Sequence, residues 1–538
     1  MSKINAVEYI SDSDESFLYQ YSNQFEQFQN LYHHEPFNKE TVKARHTYAR
    51  NDRSEALAKV IHNYMTPYGL STQQIDHLRY LREGHQVVIG GQQAGLFMGP
   101  MYTLHKVLSI IIYAKEQTEL LKEKVVPVFW IAGEDHDLNE VNHGYALDRT
   151  HNRLKKTTLD INDVTTSVHH YKVDKNKMKE WVQSFFLHER ETKHTKELHK
   201  YLLNIIDRSE HFVDLFSHMI QTLFKSEGLL FIDSHDSRLR ELEKPFLHRW
   251  ITEQKALHLA YKEGQTNALK VFDQLTISVS HNTHLFYEYK GVRASLNFDG
   301  ERFQIGETDV YLTENELHEK IDRAPHLFSN NVVSRPLMQE WLFNTLAFIG
   351  GPSEIKYWAE LTTIFKFFDM EMPIIVPRLR ITYLTAEVSE LMERHNITFK
   401  DIDSNMLSHF ENKINDESKA LYKDHFERLN QYLMDQLDVI QQSVTDSPSK
   451  EYLMQSEHRL QKEIKYIERK LNYLNKRTYR NTLNDLKWIQ LNMHPKDGLQ
   501  ERVFHPLHFL NEYGLDWFSS TTYPPLSYTN HKIIVKTL

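Results

Sequence analysis

The stretch Val87–His143, VVIGGQQAGLFMGPMYTLHKVLSIIIYAKEQTELLKEKVVPVFWIAGEDHDLNEVNH, restricts the fold of this chain more than any other. An apolar run, Gln86-Val87-Val88-Ile89, breaks at Gly90-Gly91, as a buried strand breaks at its carboxyl end. A loop punctuated by Gly90, Gly91, Gly95, Gly99 and Pro100 follows. From Tyr102 to Leu121 apolar residues recur at helical spacing, with Leu104, Val107, Leu108, Ile111 and Ile112 on one face. A second strand pattern, Val125 to Ile131, ends at Ala132-Gly133 and opens onto Glu134-Asp135-His136-Asp137. This is a βαβ unit with polar residues at the carboxyl ends of both strands, where open parallel sheets bind their ligands.

The remaining chain can be arranged around that unit. Residues 1–84 read as helices, with Phe17, Tyr21, Phe25 and Phe28 at helical spacing. Alternation in Leu154–Ile161 and Thr165–Val173 predicts a small strand insertion, and Gly228–Asp236 predicts another buried strand that delivers Asp233 to the crevice. Between 275 and 312, Lys290-Gly291 and Asp299-Gly300 separate short alternating segments, the pattern of a β-meander. A helix is expected over Trp341–Phe348, then a second glycine-rich turn at Gly350-Gly351-Pro352-Ser353-Glu354, a helix over Ile355–Phe368 and a last parallel strand over Met372–Arg378. From about Val388 the chain becomes long, charged and helical. Leu460, Ile464, Ile467, Leu471 and Leu474 keep a 4-3-4-3 spacing after a break at Ser447-Pro448-Ser449, which predicts two antiparallel coiled-coil helices. The expected class is α/β: a parallel-sheet core with β-rich insertions over 1–385, an antiparallel helical arm over 386–499, and a segment 500–538 that returns to the core with a final strand at Ile533-Ile534-Val535.

Composition removes several functions. The net charge is −9 and no dense Lys/Arg block occurs, which argues against nucleic acid and anionic membrane as partners. No apolar run approaches the roughly 20 residues that cross a bilayer. The opening MSKINAVEYISDSDESF has no signal-peptide core, so a cytoplasmic location is expected. Cysteine is absent, which excludes disulfides, thiolate ligands and cysteine nucleophiles. Any metal would rest on His, Asp and Glu, and with 32 histidines in the chain a lone one carries almost no information.

Two groups of residues could carry chemistry. Gly90, Gly91 and Gly95 precede a helix, so free backbone N–H groups and the positive helix end would favour an anion such as a phosphate. The spacing is neither a dinucleotide fingerprint nor a Walker loop. Gln92, Gln93, Tyr102, His105 and Lys106 lie close enough to reach a ligand there. The second group is Glu134, Asp135 and His136, with Glu140 and His143 beyond. A substrate-binding or acid–base role comes first for it, helix capping second. Metal binding is third; it would need His136, Glu140 and His143 on one helical face.

At these residues the chain becomes recognisable. GGQQAGLFMGPMYTLHK, VFWIAGEDHDLNEVNH, IGGPSEIKYWAEL and the Gln500-Glu501-Arg502 that closes the long helices resemble the cysteine-adding enzymes of bacillithiol biosynthesis, over nearly the whole chain. The resemblance implies a Rossmann-like core related to class I nucleotidyltransferases, a homodimer formed through the coiled coil, and addition of cysteine to glucosaminyl-malate. ATP is the cofactor such a core would use to activate a carboxylate, with the first glycine loop holding the nucleotide. The chain has no HIGH-type signature (only His105 stands nearby) and no KMSKS-like motif, so the activating agent stays open. For the acceptor that the resemblance implies, Lys106, Lys356 and Arg378 are the candidate cations facing its carboxylates, and Asp135 or His136 the candidate base. The other functional class consistent with the sequence is a catalytically idle interaction protein that keeps a nucleotide-binding-like core and a coiled coil.

Overall fold

Five strands, β1 (Val87–Gln92), β2 (Val126–Ile131), β3 (Leu230–Asp233), β4 (Thr345–Gly350) and β5 (Ile374–Pro377), form one parallel sheet in the spatial order β5-β4-β1-β2-β3. This computed structural model describes residues 4–48, 51–135, 137–161, 166–279, 281–519, 523, 526, 528 and 532–537; the side chains of 415, 417–421 and 476 lie outside that description. Every residue of β2 to β5 is buried, and in β1 only Gln92 is partly exposed. That is why the strands read as continuous apolar runs, as expected of a sheet covered on both faces. From β1 the chain lays down β2 and β3 on one side, then returns to place β4 and β5 on the other. The reversal between β1 and β4 is a topological switch point, and it opens a crevice at their carboxyl ends.

Helix α1 (Met101–Leu121) follows β1 and packs on β1, β2 and β4. Leu104, Val107, Leu108, Ile110 and Ile111 are fully buried in it, and each contributes about 1.5–3 kcal/mol of transfer free energy by leaving water. The predicted βαβ unit is therefore present, with boundaries moved by a residue or two. The structure differs at Trp341–Phe348, where a helix was expected. The helix there, Ser334–Leu342, stops early, and Thr345–Gly350 is β4, a central strand. A short run buried on every side has no periodicity to separate strand from helix. The helix expected over Ile355–Phe368 is broken into α2 (Pro352–Trp358), a 3-10 turn Ala359–Leu361 and Thr362–Phe367.

The insertions are of two kinds. A two-stranded ribbon pairs His143–Asp148 with Arg153–Thr158. The expected Thr165–Val173 strand is instead, in its described part, a 3-10 turn at Val168–His170; residues 162–165 lie outside the described residues. The meander forms, with Leu285–Tyr289, Val292–Phe298, Phe303–Ile305 and Tyr311–Leu312 joined by Phe328–Asn330 in an antiparallel sheet. The chain's last described strand, Lys532–Thr537, pairs antiparallel with Ile4–Ile10. Ile4–Ile10 falls in a region that the sequence reads as helical.

Apart from Arg153, these elements belong to one compact unit, Met1–Arg149 with Leu154–Tyr383 and Glu501–Leu538. A second unit, Thr150–Arg153 with Leu384–Gln500, is helical over most of its length. Its helices Met406–Ser443 and Ser447–Thr478 fold back on one another, with Gln461 Nε2 2.9 Å from Met434 Sδ across the pair. Leu460, Ile467 and Leu474 stay 42–44% exposed on that hairpin. Among the described residues no helix is long and apolar enough to cross a membrane.

Gly91 shows how closely the central strands approach. A Cβ there would lie 2.7 Å from the Trp130 carbonyl oxygen, a backbone contact that cannot swing aside. Gly91→Ala is expected to destabilise the first unit by about 1–3 kcal/mol. Gly498→Ala, whose added carbon meets nothing nearer than 3.8 Å, serves as control. Thermal unfolding of both variants checks this; equal midpoints would contradict it.

Candidate active site

At the switch point a buried ammonium ties the two sides of the sheet together. Lys106, on the second turn of α1, is 1% exposed. Its Nζ donates to the Gly91 carbonyl at 2.8 Å, to Gln92 Oε1 at 3.0 Å and to Glu354 Oε2. The same Glu354 oxygen accepts the Gly351 N–H at 2.7 Å. So the end of β1 and the turn after β4 are held by one cation and one carboxylate. Burial pushes the Lys106 pKa down, and the Glu354 charge opposes that shift. All three N–H donors have partners inside the protein. Lys106 is thus a clasp rather than a free cation for a substrate carboxylate, which corrects the role expected from its position in the sequence.

The first glycine stretch also differs from expectation. Gly90 and Gly91 are strand residues, and a 3-10 turn, Leu96–Met98, intervenes before α1. Gly95 and Gly99 press together, since a Cβ on Gly95 would stand 2.7 Å from the Gly99 Cα. Phe97 and Met98 hold positive φ angles of 43° and 83°, a conformation that costs side-chain-bearing residues of order 1–3 kcal/mol. The turn is fixed from outside by His505 Nε2, 2.8 Å from the Leu96 carbonyl, and by the Leu96 N–H, which donates to the Val141 carbonyl at 3.0 Å. At the start of α1 the Met101 N–H goes to the Phe504 carbonyl and the Thr103 N–H to that of Pro100. These glycines let backbones pack closely, and two of the N–H groups at the helix start already have protein acceptors. In this arrangement Gly90, Gly91 and Gly95 do not form a phosphate cradle, and the residues do not fit a nucleotide there.

Further along the carboxyl edge, Gln93 Nε2 donates to Asp135 Oδ2 at 2.6 Å. Asp135 is half-buried, and its carbonyl accepts the Val168 N–H at 2.7 Å. Glu134 turns inward. It pairs with Arg240, accepts the Asn330 N–H at 3.2 Å, and is 4% exposed. Arg240 also binds Glu243 at 2.5 Å, and burial pushes the Glu243 carboxyl up to about 7 against the pull of that arginine. Glu134 is therefore part of a buried ionic cluster, with its Oε2 shared between Arg240 and the Asn330 N–H. His136 lies outside the described residues. Glu140 and His143 fall in a 3-10 turn and a strand, so the helical face that a metal would have needed does not form.

Asp233, at the end of β3, is fully buried beside Gly133. Its Oδ2 lies 2.6 Å from His169 Nδ1, and its Oδ1 accepts the His235 N–H at 3.0 Å. Burial lowers the His169 pKa, but the hydrogen bond and charge of Asp233 more than offset it, and the net shift is upward. On the other side of the sheet Arg378 makes two 2.6 Å bonds to Glu501, whose Oε2 is also 2.9 Å from His105 Nδ1. All three side chains are buried, so His105 and Arg378 are core residues and not ligand contacts as expected. The half-buried Tyr102 ring stands beside that guanidinium, 5.9 Å away. Lys356 points elsewhere, over the rings of Phe17 and Phe272 at 5.0 and 5.9 Å.

The edge thus brings together Gln92, Gln93, Lys106, Asp135 and Asp233, and leaves Lys356 apart. Glu354, Glu501 and His169 are not among the residues that the sequence singles out. The first two stand inside motifs already singled out, IGGPSEIKYWAEL and Gln500-Glu501-Arg502, and charge balance against Lys106 and Arg378 could have selected them. His169 had no local signal.

Comparison with known proteins agrees with this architecture. The family described as "Bacillithiol biosynthesis BshC, N-terminal Rossmann-like domain" matches residues 3–379, and "Bacillithiol biosynthesis BshC, C-terminal coiled-coil domain" matches 381–537. The chain belongs to the BshC family. Proteins of Staphylococcus aureus strains Newman and JH9, each named "Putative cysteine ligase BshC", are 38% identical to it over 94% of this chain and 95% of their own length. A Campylobacter jejuni structure titled "putative arginyl t-RNA synthetase" covers 85% of this chain and 98% of its own at 11% identity; its TM-score of 0.22 carries no argument.

In this BshC family member the Arg378–Glu501–His105 group makes a stability prediction. Burial alone would raise the Glu501 pKa, but the Arg378 charge and the bonds from His105 and Arg378 hold it well below the usual carboxylate range. A depressed carboxyl stabilises the fold fully above its unfolded pKa, and that contribution drains away as pH falls through the folded value. Glu501→Gln leaves a buried guanidinium uncompensated and is expected to cost about 3–5 kcal/mol at neutral pH. The gap from the wild type should narrow as the pH drops below about 4. Urea unfolding at both pH values measures it, and a gap that widens in acid would refute the assignment.

Proposed function

We propose that this chain is a ligase that joins the carboxylate of L-cysteine to the amine of glucosaminyl-malate, the closing step of bacillithiol biosynthesis. The observation that carries this reading is the match to proteins named for cysteine ligation over 94% of the chain. The crevice at the switch point is the place we assign to the reaction, since β1, β2, β3 and β4 all end there.

Amide formation needs the carboxylate activated before the amine can displace its oxygen, and we propose ATP as the activating co-reactant. No docking place is assigned to it, because the first glycine stretch does not fit a phosphate. The chain's own residues account for two other requirements. As the N–C bond forms, the attacking amine must give up a proton, and Asp135 is the acceptor we assign, oriented by the Gln93 amide. The malate carboxylates need a cation. With Lys106 and Arg378 committed to Glu354 and Glu501, we assign Arg335, which is half-buried and bonded to the neutral Gln339 Oε1 at 3.0 Å and to the Tyr357 hydroxyl.

One assay separates this reading from the idle-scaffold alternative. Purified chain incubated with cysteine, glucosaminyl-malate and each nucleoside triphosphate in turn should release the amide product, read by mass spectrometry. No product with any triphosphate would favour the scaffold. In the active reaction Asp135→Asn is expected to lower kcat by about 10²–10⁴-fold. Arg335→Ala is expected to raise the acceptor KM by roughly tenfold or more while leaving kcat nearly unchanged. Steady-state kinetics on both variants checks the roles; wild-type constants in either would remove that residue from the scheme.

A further inference from the structure

Beside the proposed reaction crevice, three separate elements bring metal-ligating side chains to one point. The 3-10 turn Val168–His170 is pinned to the end of β2 by the Val168 N–H, which donates to the Asp135 carbonyl at 2.7 Å, and by the His169 N–H, which donates to that of Gly133 at 2.9 Å. It delivers His170. His235 stands two residues past β3, and Glu288 comes from the meander strand Leu285–Tyr289. One ring nitrogen from each histidine and one carboxylate oxygen of Glu288 all lie within 4.8 Å of one another.

We propose that His170, His235 and Glu288 form a binding site for a divalent transition-metal ion of the zinc class. Two imidazoles and a carboxylate are a donor set suited to Zn²⁺, and three protein ligands leave a fourth position for an outside ligand. The site is built rather than accidental in three respects. His235 is 5% exposed, and its Nδ1 has no hydrogen-bond partner among the described residues. His170 Nε2 and Glu288 Oε2 already approach to 3.2 Å, and the His170 and His235 rings meet edge to face with centroids 4.7 Å apart. Behind them Asp233 fixes the His235 backbone and the His169 ring, which packs on His235 at 4.7 Å. Such a second layer of contacts holds ligands in place.

The proposal does not rest on the ligase reading, so it is tested by metal content and not by product. Full-length chain stripped with a chelator is dialysed against Zn²⁺ and assayed by elemental analysis, and against Co²⁺ and read by visible absorption. One ion per chain is expected, with at least a tenfold loss of affinity in His235→Ala, His170→Ala and Glu288→Gln. His248→Ala is the control, because His248 forms another close group, 2.6 Å from His318 Nδ1 and 2.9 Å from Asp322; it should bind as the wild type does. His170, with 41% of its side chain exposed, can be replaced without opening the core, so the test survives if His235→Ala fails to fold. No bound ion in the wild type, wild-type affinity in His170→Ala and Glu288→Gln, or equal loss in the control would each overturn the site.

Discussion

A buried lysine with every N–H satisfied is the joint on which the core of this chain depends. An ammonium is costly to remove from water, and only close acceptors on all its protons make the burial tolerable. Lys106 finds them on both sides of the switch point, on the last residues of β1 and on Glu354 after β4. Hydrophobic packing would hold those two strands side by side at many registers of their ends. The clasp selects one, because a shift of either strand end would leave a charge or a carbonyl without its partner. The position of Gln92, and through the chain that of Gln93 and Asp135, follows from that choice.

The same logic recurs twice around the sheet. Arg240 lies between Glu134 and Glu243, and Arg378 grips Glu501 while His105 binds the same carboxylate. Each group ties a residue at or near a strand end to an element distant in sequence. Buried ion pairs add little net stability compared with apolar packing, but a wrong arrangement is heavily penalised. They fix where the strand ends stop, and reactive or ligating side chains sit just beyond those ends. Just beyond those ends Gln93 holds the half-buried carboxylate of Asp135, and Asp233 holds His169 and the backbone of His235.

Much of the fold could be read from the residues, and the part that could not has a physical reason. The βαβ unit at Val87–Ile131 was legible because glycine breaks and helical spacing mark its pieces. The returning strand at Lys532–Thr537 was legible too, from its β-branched run. The central strand Thr345–Gly350 reads as helix in the sequence, since a run buried on all sides carries no period. The site was legible at the level of segments and not of roles. Glu134, His105, Lys106 and Arg378 were correctly placed at strand ends or on the first helix, but a one-dimensional reading cannot show that Arg240, Glu501 and Glu354 have already neutralised three of them. Those partners are brought in by long-range folding, as is Asp233 to His169.

The carboxylate that neutralises Arg378 has a bearing on how the protein is made. Glu501 lies 123 residues downstream of the arginine it holds. On a ribosome working at roughly 5–20 residues per second, the arginine waits on the order of ten seconds for its counter-ion. During that interval the nearly finished sheet domain carries an unmatched guanidinium at a place meant to be dry, and all of Leu384–Gln500 emerges in between. The strand at Ile4–Ile10 waits longer still, for Lys532–Thr537. Closure of the first unit is therefore a late event in synthesis.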